Sequence, residues 1–206
     1  SNLFKFDVEN FPLFILSGQV IFNFFSESTT NAMGAILGNA SLIRKIYVPK
    51  YLFVISRIFS SFINLMASFT ALILVMVATR AELHWTVILV PIPLVLLVIF
   101  SMGIGLILSA IAVKFRDIMH LYSVFITALM YLTPIIYPMS ILPAWLKPIV
   151  NLNPITNILL MFRDVMLDYT IFDAKSIIIA VIEAGLALVI GLRVFYKAQD
   201  EFILNI

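Results

Sequence analysis

TPIIYPMSILPAWLKPIVNLNPITN, residues 133–157, carries five prolines: Pro134, Pro138, Pro143, Pro148 and Pro154. Proline fixes φ and lacks a backbone N–H, so this stretch cannot be one continuous helix. Long apolar runs flank it on both sides. Irregular backbone so close to a bilayer must be buried in protein or must line a wet cavity. The segment therefore points to a protein that passes a solute, more than to a plain anchor.

The rest of the chain supplies the bilayer. Of 206 residues, 63% are hydrophobic and only 12% are charged, and the mean hydropathy is +1.12. A soluble domain needs more polar surface than that to cover its core. The expected fold class is an all-α polytopic membrane protein. A net charge of +2 gives no basis for a nucleic-acid partner. With no cysteine, disulfides, thiolate metal sites and cysteine nucleophiles are excluded.

Five spans are expected, at about 11–31, 52–78, 86–113, 118–136 and 177–195. Each meets or nearly meets the roughly 20 apolar residues that cross ~30 Å of hydrocarbon. Pro91 and Pro93 stand near the start of the third, where the first turn of a helix tolerates them. Lysine and arginine set the orientation. Arg44, Lys45, Lys50, Arg57, Lys114, Arg116, Arg193 and Lys197 fall on one side and Lys5, Arg80, Lys147, Arg163 and Lys175 on the other. That division, eight against five, places the first group and the C-terminus in the cytoplasm. The chain then starts outside. Since it opens on Ser1 with no cleavable signal pattern, one further span is expected upstream.

Between the first two spans, residues 41–49 read as a short helix. Ser41 caps it and Pro49 ends it. Leu42, Ile43, Ile46 and Tyr47 form its apolar side, with Arg44 and Lys45 elsewhere. An interfacial helix on lipid head groups and a docking helix for a cytoplasmic partner both fit these residues. The connection Lys114-Phe115-Arg116-Asp117 reads as a positive-inside turn or as a second partner contact. The proline segment resolves into two short re-entrant helices at the outer face. One starts near Pro143. The other has Asn153 as cap and Pro154 in its first turn and runs to about Tyr169. With no internal repeat and no linker, residues 1–206 form one domain.

Chemistry of bond-making is not in view. The glycines, at 18, 34, 38, 103, 105, 185 and 191, make no phosphate-cradling loop, so any ATP that drives this protein binds another chain. His84 and His120 lack carboxylate companions and read as interfacial residues. No metal or cofactor site is expected. Three features at membrane depth remain. Glu183 is an ionisable group inside the fifth span. Asn23, Glu27 and Asn31 recur at i, i+4 and i+8 and share one face of the first span. That stripe suits either a hydrated passage or an interhelical hydrogen-bonded seam. Among the aromatics, Phe22, Tyr122, Tyr131 and Tyr137 are candidates to line a route for sugars, whose C–H faces stack on aromatic rings.

Taken in order, several pieces resemble the membrane subunit of a type-2 ABC exporter of the polysaccharide branch. They are Phe11-Pro12-Leu13-Phe14-Ile15-Leu16-Ser17-Gly18, Asn23-Phe24-Phe25-Ser26, the stretch from Gly38 through Arg44-Lys45 to Pro49, and Lys114-Phe115-Arg116-Asp117. Thr133-Pro134-Ile135-Ile136-Tyr137-Pro138, Leu152-Asn153-Pro154 and Phe162-Arg163-Asp164 complete the set. The resemblance implies six spans with both termini cytoplasmic, in the bacterial inner membrane. It implies a homodimer with two ATPase subunits that carry ATP and magnesium, exporting lipid-linked O-antigen, capsule or teichoic acid polymers. It makes Ser41, Leu42, Ile43, Arg44, Lys45, Ile46 and Tyr47 a coupling helix, with Lys114, Arg116 and Asp117 a secondary contact. Two rivals stand beside it. One is a type-2 ABC exporter of a drug or small lipid. The other is a scaffold or scramblase that needs no ATPase.

Overall fold

The computed structural model describes residues 10–46, 48–81 and 84–202. Among them every regular element is a helix. The first, α1 (Phe11–Met33), has Pro12 in its opening turn, where a missing N–H costs nothing. At Gly34 it gives way to two four-residue helices, α2 (Ala35–Gly38) and α3 (Ala40–Ile43). Then come α4 (Tyr51–Ala78), a hairpin in which Arg80 takes φ 53, and a 3₁₀ turn over Trp85–Leu89. That turn leads straight into α5 (Pro91–Lys114). The remainder is α6 (Ile118–Leu132), α7 (Lys147–Asn151), α8 (Pro154–Met166) and α9 (Ala174–Ala198).

Three stretches, Tyr51–Ala78, Trp85–Lys114 and Ala174–Glu201, are long and apolar enough to cross a membrane by length and composition. The shorter apolar helix Ile118–Leu132 accompanies them. α1 has 23 residues, but its last third is polar from Ser26 to Asn31. The expected fourth span ends four residues early. Thr133 is already extended, at ψ 133, because the residue before a proline is driven out of the helical region. Likewise the helix expected at Pro143 starts at Lys147, and Pro143 forms only a turn that accepts from the N–H of Leu146.

α5 is apolar on every side and lies at the centre, against α1, α4, α8 and α9. Its closest neighbour is α9. A Cβ on Gly103 would stand 2.3 Å from the carbonyl carbon of Ala187, and one on Gly191 would stand 2.3 Å from the oxygen of Gly103. The two backbones touch because both residues lack a side chain, which is how helices associate when lipid removes the hydrophobic drive. α1 crosses α5 at Gly105, where a Cβ would lie 2.8 Å from that of Ala32, and Phe25 stacks on Phe100 at 5.6 Å. Outside this core, α9 presents Ile178, Ile182, Leu186 and Val189, and α6 presents Leu121, Val124 and Phe125. Such faces are a liability in water and unremarkable in hydrocarbon.

Candidate functional site

Two basic connections share one end of the bundle. Gly34 closes α1, and a Cβ there would lie 3.9 Å from the side chain of Met119, just beyond the 114–117 turn. The Lys50 ammonium donates to the Gln199 carbonyl and sits 5.7 Å over the Phe202 ring, which brings the end of α9 to the same place. At the opposite end, Thr86 donates to the Val165 carbonyl at 2.8 Å, and the His84 and Tyr169 rings lie 5.8 Å apart.

The expected 41–49 helix is shorter and starts earlier. Asn39 occupies its N-cap position, though without a side-chain cap bond, and donates instead to the Ala35 carbonyl at 2.7 Å. Ser41 is therefore inside α3 and exposed, not a cap. After Ile43 the chain turns through Arg44, Lys45 and Ile46; Tyr47 lies outside the described residues. The apolar side divides. Ile43 is buried in the core, whereas Leu42 and Ile46 face outward together with Arg44 and Lys45. Lys114, Arg116 and Asp117 are all exposed, between the end of α5 and the start of α6.

The polar face of α1 meets a polar face of α4. Glu27 Oε1 accepts from Asn64 Nδ2 at 2.7 Å and from Ser61 Oγ at 3.3 Å, and Asn31 Nδ2 donates to Ser61 Oγ at 3.1 Å. At this level the stripe is an interhelical seam. Two turns earlier it opens. Gln19, Asn23 and Ser68 line a groove of about 230 Å³ between the two helices, with Leu16, Val20 and Leu72 among its walls. The other path candidates do not gather here. Phe22 is 3% exposed in the core, and Tyr122 is buried with its hydroxyl 2.6 Å from that of Thr29. Tyr131 is exposed at the far end of α6, where Tyr137 donates to the carbonyls of Tyr131 and Leu132. Glu183 faces Asn157 of α8, and its Oε2 has no partner.

Residues 133–166 are organised by a residue that sequence reasoning used only in the charge division and as part of a motif. Arg163 of α8 is 4% exposed. Its guanidinium donates to the Phe14 carbonyl (2.9 Å), Ser17 Oγ (3.2 Å), the Pro134 carbonyl (2.6 Å) and the Ile135 carbonyl (2.9 Å). It also lies 3.6 Å from the Phe14 ring centroid. Gly18 makes room, since a Cβ there would come within 2.8 Å of Nη2 and 3.0 Å of the Ile135 Cα. Asn153 ties the same segment. Its side chain accepts from the Ile155 N–H at 3.1 Å, as the sequence predicts for a cap, and donates to Thr133 Oγ1 at 3.0 Å. Asn153→Ala removes both bonds and is expected to lower the unfolding free energy by about 1–2 kcal/mol, read as a lower melting temperature in detergent. α8 ends at Met166 and not at Tyr169, because Tyr169 takes the left-handed φ of 54. Beside it, burial and then the charge of Asp168 push the Asp164 carboxyl up to about 6.

Residues 4–167 match the family described as ABC-2 type transporter. The chain belongs to that family. Among its relatives is the O-antigen export system permease protein RfbA of Klebsiella pneumoniae, 26% identical over 202 residues, covering 96% of this chain and 76% of the relative. The protein of the same name from Myxococcus xanthus is 24% identical, with 95% and 76% covered. The polysialic acid transport protein KpsM of Escherichia coli is also 24% identical, with the same shares covered. The 40–46 segment, the polar seam and the Arg163 network of this ABC-2 type chain all fall within the matched residues.

Proposed function

We propose that this chain is the membrane permease of an ATP-driven exporter that moves a lipid-linked polysaccharide out across the bacterial cytoplasmic membrane. What carries the reading is that relatives named for O-antigen export and for polysialic acid transport align with 95% or more of the chain. The working unit is a homodimer with two copies of a separate ATPase that holds ATP and magnesium. Each copy crosses the membrane five times in the residues present, through α1, α4, α5, α6 and α9, with the C-terminus inside.

On this reading Leu42, Ile46, Arg44 and Lys45 face the ATPase, and Lys114, Arg116 and Asp117 add a second contact. Ile43, buried beneath them, passes the motion into α1 and α4. Coupling is a difference in contact free energy between two states of that docking segment. The glycan moves outward past the groove at Gln19 and Asn23 and past the 133–166 segment, with Tyr131 and Tyr137 beside its exit. Glu183 lies nearby.

Deleting the gene in its own host and restoring it on a plasmid tests the substrate class. The expected result is loss and recovery of surface polysaccharide, with lipid-linked polymer accumulating inside the deletion strain. Unchanged surface polysaccharide, with loss of resistance to a small toxic compound, would instead assign the chain to small-molecule export.

A further inference from the structure

Arg163 has a position that fold stability alone does not require. Burying a guanidinium costs several kcal/mol, and an apolar side chain of similar volume often serves stability as well or better. Three of its four hydrogen-bond acceptors are main-chain carbonyls, and they belong to two segments other than its own. Phe14 lies in the first turns of α1, while Pro134 and Ile135 lie in the link that follows α6. The fourth acceptor, Ser17 Oγ, itself donates to the Phe14 carbonyl at 2.8 Å, so that turn of α1 is fixed twice. Without a Cβ at Gly18, the 133–135 link rests directly on the α1 backbone.

α1 is unbroken over 23 residues, about 34 Å at 1.5 Å per residue. Its far end runs through Gly34 into α2, α3 and the Arg44–Lys45 turn. A rod with the docking segment at one end and Arg163 at the other therefore spans the bundle.

We propose that Arg163 is a positioning residue for export, holding α1, residues 133–135 and α8 as one moving unit so that displacement of the docking segment reaches the outer segment. The proposal rests on the exporter reading above. It touches neither the ATPase contact nor the glycan, so its loss separates two quantities that a merely structural role would lower together. Hydrolysis by the assembled complex persists, while export per ATP falls.

The test uses the intact complex of this chain with its copurified ATPase, and surface polysaccharide in the same cells. In Arg163→Gln, complex level and ATP hydrolysis should stay within about twofold of the natural protein, while surface polysaccharide falls roughly tenfold or more, as for a typical coupling free energy. Arg163→Lys keeps the charge but cannot reach the same fan of acceptors, and should fall in the same direction. Full recovery by lysine would overturn the geometric argument. Export and hydrolysis falling together at a normal level of complex, so that export per ATP is unchanged, would overturn the proposal outright. Should Arg163→Gln fail to assemble, Ser17→Ala decides: it removes one acceptor of four and should lower export per ATP roughly threefold at normal complex level. An unchanged ratio in Ser17→Ala would count against the coupling role. If the natural chain copurifies with no ATPase at all, the exporter reading itself fails, and that result is distinct from either variant's.

Discussion

Gly103→Val is expected to abolish the folded membrane form. A Cβ at this position meets the Ala187–Leu188 backbone at 2.3–2.5 Å, and backbone cannot rotate aside as a side chain does. α9 would have to move off α5 as a whole, opening the largest helix-to-helix contact of the bundle. Ordinary overpacking costs about 1–3 kcal/mol, and this case lies at or beyond the upper end. The measurement is the fraction of detergent-extracted protein that elutes as a single symmetrical species. Gly185→Val is the matched control. It lies on the same helix as Ala187 with nothing within 4 Å of its Cβ, so it should differ from the natural protein by less than ~0.5 kcal/mol. Equal behaviour of the two variants would mean that α5 and α9 do not pack as described.

The paired reversal Arg44→Glu and Lys45→Glu is expected to stop export while leaving insertion and folding intact. Both side chains are exposed, on a turn anchored by the buried Ile43 beneath them. Truncation of that anchor would disturb the core, whereas reversal of the two charges leaves the buried Ile43 in place and inverts the charge a partner meets. Like charges placed across an interface cost several kcal/mol, and each ~1.4 kcal/mol is tenfold in an equilibrium constant. Surface polysaccharide should therefore drop by roughly two orders of magnitude at an unchanged level of the chain in the membrane. Unaltered export in this double variant would remove the coupling role from residues 41–46.

Most helices could be read from the sequence because their signals are local. Apolar runs bounded by prolines and charges gave α1, α4, α5 and α9 to within a few residues. Asn153 followed by Pro154 marked the start of α8, since a capping side chain and a pre-set φ need no tertiary help. Where two local signals compete, the sequence is ambiguous. Asn39 and Ser41 are both of residue types that favour a cap; Asn39 takes the N-cap position, without a side-chain cap bond, and Ser41 falls inside the helix. The end of α6 was legible in Thr133-Pro134 itself, but continuing hydrophobicity through Ile136 masked it.

The polar stripe of α1 was visible at its i, i+4 spacing. Its partners Ser61 and Asn64 were not, because the rotation of α4 about its axis is set by the helices around it. Phe22 and Tyr122 show the same limit: an aromatic in a span looks alike whether it faces a path or a neighbouring helix. Arg163 was hardest to assign. Nothing in Phe162-Arg163-Asp164 tells that carbonyls from residues 14, 134 and 135 converge on it, since they come together only when α1, the proline link and α8 pack. Arginine is almost never fully buried without partners, and here the main chain provides most of them.

Whether a separate ATPase drives this chain is settled by isolating the intact, tagged protein from its own host under gentle detergent extraction and assaying ATP hydrolysis in the eluate. The expected result is a stoichiometric ATP-hydrolysing partner. A clean preparation of this chain with no such partner would contradict ATP-driven export and leave the 41–46 turn as a membrane-surface element.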